Sequence, residues 1–307
     1  MRHAAPAGVV FPARKEPPLP SSFESFTADA HGLALHARQR NPGGDTAVVF
    51  LHGWLDHSHS FDLVAEHLPD SWRLVLLDFR GMGRSAHLPG HAHYQFAEHL
   101  VDVEAVLRAT GLKAAHFVGH SLGGIVATAY AAARPQRVLS LGLIESLGPT
   151  GGPPGNALPR LRGFLDDLER PPNRKRYPTV EAAAARLRET NPSLPESVAL
   201  HLARHGTQPV EDGLVFTFDP AHRRRFAFGY DDAQWLALSS AVTCPVRLIL
   251  GREGFRIDDE RARARMEALR LPPPLVIPGG HHVHLEQPEA VARALVEHIH
   301  GHLHSAR

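Results

Sequence analysis

Gly119-His120-Ser121-Leu122-Gly123 sets a hydroxyl between two small residues. The run 114–118 before it reads as a short buried strand. The run 122–133 after it is Ala-rich and Pro-free, with Pro135 just past its end, and reads as a helix. A serine on so sharp a strand-to-helix turn has strained backbone angles, and its neighbours two positions away must be small to let the two elements approach. The turn lifts the hydroxyl toward a helix N-terminus, where backbone N–H groups stabilise developing negative charge. These are the conditions for a nucleophilic serine.

Such a serine needs a base and donors for an oxyanion. The string Pro278-Gly279-Gly280-His281-His282-Val283-His284-Leu285-Glu286 follows the last predicted strand. Loops at the carboxyl ends of parallel strands are where catalytic groups gather in open α/β sheets. A histidine there can take the serine proton, and His281, His282 and His284 are all candidates. After the predicted strand 47–51 comes His52-Gly53-Trp54-Leu55-Asp56. Gly53 lets the backbone turn, so that the Trp54 N–H faces the same point as the Leu122 N–H and the two form an oxyanion hole. His52, Gly53 and His120 are read as lining the substrate pocket, with the Trp54 side chain as a further wall.

The surrounding pattern must position these groups. Strands are expected at 33–37, 47–51, 73–78, 114–118 and 138–145, with helices at 60–68, 95–110 and 122–133. Past Gly148 the rhythm breaks in a Pro/Gly/Thr stretch. Helices at 158–169, 180–190 and 195–205 and a short strand at 214–218 follow. The alternation resumes with a strand at 246–251, a helix at 258–269, a strand at 275–277 and a helix at 288–300. This predicts an α/β fold, a mostly parallel doubly wound sheet, with core residues 23–148 and 236–307 and a mainly helical cap at 149–235. Residues 1–22, rich in Pro and Ala, are expected to be poorly ordered.

Composition excludes other classes. The chain has 307 residues, 43% hydrophobic, and a net charge of +1, which argues against a general nucleic-acid surface. A lone Cys244 precludes an internal disulfide framework. No apolar run reaches the length of a membrane span or a secretory h-region, so a cytoplasmic protein is expected. There is no P-loop, dinucleotide fingerprint or zinc spacing, and neither cofactor nor metal is expected. Arg223-Arg224-Arg225 reads as a solvated charge run rather than as the receiver of an anionic substrate, and His298, His300, His302 and His304 read as a solvated tail.

The chain resembles the α/β-hydrolase superfamily through His52-Gly53-Trp54, Gly119 to Gly123 and Gly280-His281, together with Asp78-Phe79-Arg80-Gly81-Met82-Gly83-Arg84-Ser85. The string His52 to Asp56 followed by Ser60-Phe61-Asp62-Leu63, and the string Gly280 to Glu286, are similar to its serine-hydrolase-like (kraken-type) branch. The resemblance implies His281 as the base. It also exposes a departure. The family's usual acid position, three residues past a glycine like Gly251, is here Gly254. Glu145, at the end of the predicted strand 138–145, stands where some branches carry their acid, and Glu253 is the alternative. Asp78 and Arg80 are expected to hold loop structure. The implied function is a serine hydrolase acting on an ester or similar small acyl substrate through an acyl-enzyme. The alternatives are a C–C bond hydrolase with the same triad and a non-catalytic ligand-binding protein on the same fold. Monomer and homodimer are both left open.

Overall fold

The computed structural model describes residues 23–90, 93–170 and 173–305; the segment 1–22, expected to be poorly ordered, lies outside them. The chain opens with a hairpin that sequence reading catches only in half. β1 (Glu24–Ala30) pairs antiparallel with β2 (Leu33–Arg40). His31 (φ 57°) and Gly32 (φ 88°) supply the two left-handed residues that a tight hairpin turn needs. Then follow β3 (Thr46–Leu51), β4 (Trp72–Leu77), β5 (Ala115–His120) and β6 (Val138–Ile144). A long excursion contains the small hairpin β7 (Thr207–Val210) and β8 (Gly213–Phe216), after which β9 (Val246–Gly251) and β10 (Leu275–Ile277) complete the strands.

The described residues form an eight-stranded sheet in the order β1-β2-β4-β3-β5-β6-β9-β10. It is parallel from β4 to β10, and β1 and β2 run antiparallel at one edge. Alternate residues of its central strands feed two cores. Val49, Leu51, Val75, Leu77 and Phe117 pack with Val103, Val106, Leu107, Val126 and Tyr130 from the helices Phe96–Thr110 and Leu122–Ala133. Val48, Phe50, Leu74, Leu76 and Val118 pack with Phe61, Val64, Val291, Leu295 and Ile299 on the other face. Burial on both faces is why these strands read as unbroken apolar runs.

Several element boundaries differ from expectation for identifiable reasons. The helix expected at 60–68 is a short 3₁₀ turn at Ser58–Phe61 and one α-turn at Asp62–Ala65. The buried Arg40 guanidinium ends it by donating to the Ala65 (2.8 Å), Leu68 (3.3 Å) and Pro69 (3.3 Å) carbonyls. The final helix runs Pro288–Ser305, and the His300 ring packs edge-on against Trp72, so this stretch continues a helix rather than trailing as a solvated tail. Between β6 and β9 lie helices at Ala157–Glu169, Val180–Thr190 and Glu196–Gly206, the last two built round a cluster of their own (Ala183, Val198, Ala199, Leu202) to which Leu285 is added. A further helix, Asp232–Ala241, spans residues 235 and 236 and was not foreseen; it packs on the helix that follows Ser121.

The loop after β4 is held as sequence reading expects. Asp78 accepts the N–H groups of Ser58 (2.6 Å) and Arg84 (3.0 Å) and the His36 Nδ1–H (2.7 Å). Arg80 donates Nε (2.9 Å) and Nη2 (2.7 Å) to Oδ1 of Asp102, both residues being buried. Arg80 Nη1 also meets the Glu98 carboxylate (3.0 Å), so loss of Asp102 leaves the guanidinium one of its two carboxylates. Asp102→Ala is therefore expected to lower unfolding stability by about 1–3 kcal/mol, measured by chemical denaturation.

Candidate active site

β5 ends at His120, and Ser121 then adopts φ 49° and ψ −115°, a left-handed conformation rare for a residue with a side chain. Surrounding bonds hold it there. The Ser121 N–H donates to the Ile144 carbonyl (3.0 Å), and the Ser121 carbonyl accepts from Gly124 N–H (3.0 Å), Ile125 N–H (3.2 Å) and Ser146 Oγ–H (2.8 Å). The hydroxyl caps nothing in its helix. Gly123 is obligatory for this approach: a Cβ there would lie 1.9 Å from the Leu51 carbonyl oxygen. Ser121, Leu122 and Trp54 line one cavity of about 410 Å³, and the Trp54 ring, 53% exposed, also borders a second of about 360 Å³. Among the described residues, neither the Trp54 nor the Leu122 N–H has an acceptor. Both stand beside the serine as open donors.

Glu145 follows β6 and is itself left-handed (φ 50°) and fully buried. Its Oε1 accepts the Gly251 N–H (2.6 Å), and its Oε2 accepts the Phe255 N–H (2.8 Å) and the His281 Nδ1–H (3.2 Å). That last bond fixes the tautomer of His281 and leaves its Nε2 lone pair available. Gly254 is the counterpart of this arrangement. A Cβ at 254 would sit 2.2 Å from Glu145 Oε1, so the residue at the family's usual acid position has no side chain because the Glu145 carboxyl fills that space. Glu253, the alternative acid, is exposed and accepts the Gly279 N–H (3.0 Å), away from the imidazole. Ser121 Oγ makes no hydrogen bond to His281 among the described contacts, a distance that commonly closes only with substrate present.

Two residues expected in the pocket lie behind it. His52 is fully buried, donating Nδ1–H to the Gly53 carbonyl (2.7 Å) and accepting the Phe79 N–H at Nε2 (3.0 Å). His120 is buried and donates Nε2–H to the His281 carbonyl (2.8 Å). Their imidazoles tie loops together rather than face the cavity, because both sit at the ends of central strands where the sheet is covered. Gly53 is buried too, and a Cβ there would press on the His120 ring (2.8 Å). Of the rival bases, His284 is buried, while His282 borders the 360 Å³ cavity and is held by burial and by His281 at a pKa of about 4.

Sequence reading missed Asp56 as a partner of these groups. Its Oδ2, the His120 Nδ1 and both ring nitrogens of His284 are buried without a hydrogen-bond partner among the described residues, and ligating atoms of the three residues lie within 4.8 Å of one another. Burial raises the Asp56 carboxyl to about 7 and keeps both histidines well below their ordinary value. His59, His201 and His205 also converge within 4.8 Å. There the His59 and His205 rings stack at 3.7 Å, so their in-plane lone pairs cannot meet on one ion without a ring turning. The first set is the better arranged of the two to hold a cation.

Residues 46–288 match the family model described as the alpha/beta hydrolase fold. The chain is an α/β hydrolase of the serine-hydrolase-like branch. A serine hydrolase-like protein of Danio rerio is 30% identical over 274 residues, covering 86% of this α/β hydrolase and 84% of the relative. Among solved structures, the hypothetical protein PA1622 from Pseudomonas aeruginosa PAO1 superposes with a TM-score of 0.80 at 31% identity, covering 92% of this chain and all of the other. A thioesterase domain from the curacin biosynthetic pathway superposes at 0.81 with 26% identity, covering 90% and 100%.

Two outcomes follow for this hydrolase. Gly254→Ala should lower stability by about 1–3 kcal/mol in thermal unfolding, since the added methyl displaces a buried carboxyl from its donors. The second concerns acid. Burial lowers His57 to about 3 and His222 and His282 to about 4. The unfolded chain, with histidines near 6.5, takes up protons that the fold refuses, so stability is lost as pH falls from about 6.5 toward 4. Asp56, raised to about 7, acts in the opposite sense, but as one group against these three and the likewise lowered His120 and His284. The melting temperature at pH 5 should fall below that at pH 7.5, with on the order of 1–2 kcal/mol withdrawn per histidine.

Proposed function

We propose that this chain is a serine hydrolase that cleaves an ester or similar small acyl substrate through an acyl-enzyme. Ser121 Oγ attacks the carbonyl carbon as His281 Nε2 removes its proton, and the Trp54 and Leu122 amides hold the resulting oxyanion. His281 returns the proton to the leaving group as its bond to the acyl carbon breaks. A water molecule, deprotonated by the same imidazole, then releases the acid and restores Ser121. Glu145 acts through His281 as its positioning residue, keeping Nδ1 protonated and stabilising the imidazolium. Residues 149–235 serve as the cap over the acyl pocket.

The observation that carries this reading is the His281 Nδ1–Glu145 Oε2 bond at 3.2 Å, made behind a left-handed serine beside two open backbone donors. A solved relative's description as a thioesterase domain supports acyl chemistry on this scaffold. A fluorophosphonate probe should label the native protein and not Ser121→Ala. With p-nitrophenyl butyrate, Glu145→Gln should lower kcat by about 10²–10⁴-fold, and Glu253→Gln should stay within about threefold of wild type. The reverse pattern would move the acid to Glu253. A folded native protein that resists the probe would turn the reading to ligand binding without turnover.

A further inference from the structure

The cavity beside Ser121 has an unusual charge. Arg160, Arg223, Arg224 and Arg225 all line it, and among the described residues no Asp or Glu does. Arg225 is neutralised from outside, donating Nε and Nη2 (both 2.8 Å) to the Asp167 carboxylate. The other three have no carboxylate partner among the described residues. Arg223 lies over the Phe218 ring (4.8 Å), and Arg224 Nη1 is buried with no acceptor among the described residues. A guanidinium nitrogen removed from water and left unpaired is a standing penalty unless something else brings the acceptor. Two histidines share the lining, but His222 is held at about 4 by burial, so the arginines set the charge.

The turn that presents Arg223, Arg224 and Arg225 is fastened to the core. Asp219 N–H donates to the Gly81 carbonyl (2.7 Å), its carboxylate accepts the Tyr94 hydroxyl (2.8 Å), and His222 Nε2–H donates to the Arg80 carbonyl (2.9 Å). A solvated charge run has no need of such anchoring. Phe96, Ile125, Phe226 and Tyr230 supply apolar wall to the same cavity as the arginines and the serine. We infer that the substrate is an anionic acyl compound, one whose non-reacting end bears a carboxylate or phosphate received by Arg224 with Arg160 and Arg223. This rests on the hydrolase reading above and adds the substrate class to it. Planar guanidinium forks suit either oxyanion bidentately.

The test compares matched esters. Mono-p-nitrophenyl glutarate against p-nitrophenyl valerate places the charge on the acyl side, and 4-acetoxybenzoate against phenyl acetate places it on the leaving group. In at least one pair the wild type should favour the anion by about tenfold or more in kcat/KM, mainly through KM, and Arg224→Gln or Arg160→Gln should erase that ratio. Arg293→Gln, on the remote final helix, should leave it unchanged. Parity of charged and neutral esters in both pairs, or a ratio indifferent to both arginine changes, overturns the inference. If no ester is turned over, calorimetry on Ser121→Ala decides it alone. Glutarate or inorganic phosphate binding that Arg224→Gln abolishes supports the anion site and tells carboxylate from phosphate. No saturable binding of either up to about 10 mM refutes it, whatever becomes of the hydrolase reading.

Discussion

A carboxyl group buried at the end of a sheet must have its oxygens met by donors, and Glu145 meets that demand with two backbone N–H groups and one imidazole. The consequences spread from there. The donors come from Gly251 and Phe255, so the loop after β9 must curl round the carboxyl. Residue 254 inside that curl must have no side chain. The imidazole must belong to the loop after β10, because that loop crosses the same edge. Three strand ends are thus fixed relative to one another by a single side chain, and the orientation of His281 is one result of that packing.

The neighbouring histidines extend this framework without facing the cavity. His120 reaches from the serine strand to the His281 carbonyl, and His52 joins its own turn to the loop after β4. Each is neutral because burial denies it a proton, and a neutral ring offers one donor and one acceptor in fixed directions. His52 uses both, and His120 uses its donor. The backbone of the elbow is held by bonds from Ile144 and Ser146 on the adjacent strand end. The rigidity of the site therefore comes from cross-strand ties between loop backbones rather than from the cavity lining.

How much of this could be read beforehand depended on range. Local signals carried well: the helix Leu122–Ala133 and strands Val246–Gly251 and Leu275–Ile277 fall where periodicity places them, since both faces of each are settled by nearby sequence. The nearness of Glu145 to His281 is a contact across 136 residues, legible only because Gly254 could not supply an acid. His52 and His120 were misplaced because residue type does not tell which side of a strand end an imidazole takes. β1 was passed over because it buries only the small Ala28 and Ala30 in the core, and β7 because a four-residue exposed strand has little apolar pattern, although His31-Gly32 was a turn signal in plain view. The arginines of 223–225 looked like ordinary surface charge, as the wall they face is assembled from distant helices.

Leu55, Ser121 and Glu145 all sit at positive φ without being glycine, each in the loop that follows a different strand. Strain of this kind amounts to roughly 1–3 kcal/mol per residue and persists only where the surroundings over-determine it. Of the six non-glycine residues at positive φ among the described residues, these three gather where the chemistry would occur. Changes that relieve these three backbones would yield a hardier molecule with a less exacting pocket. Selection for heat resistance alone would then draw the chain toward an inert relative of itself.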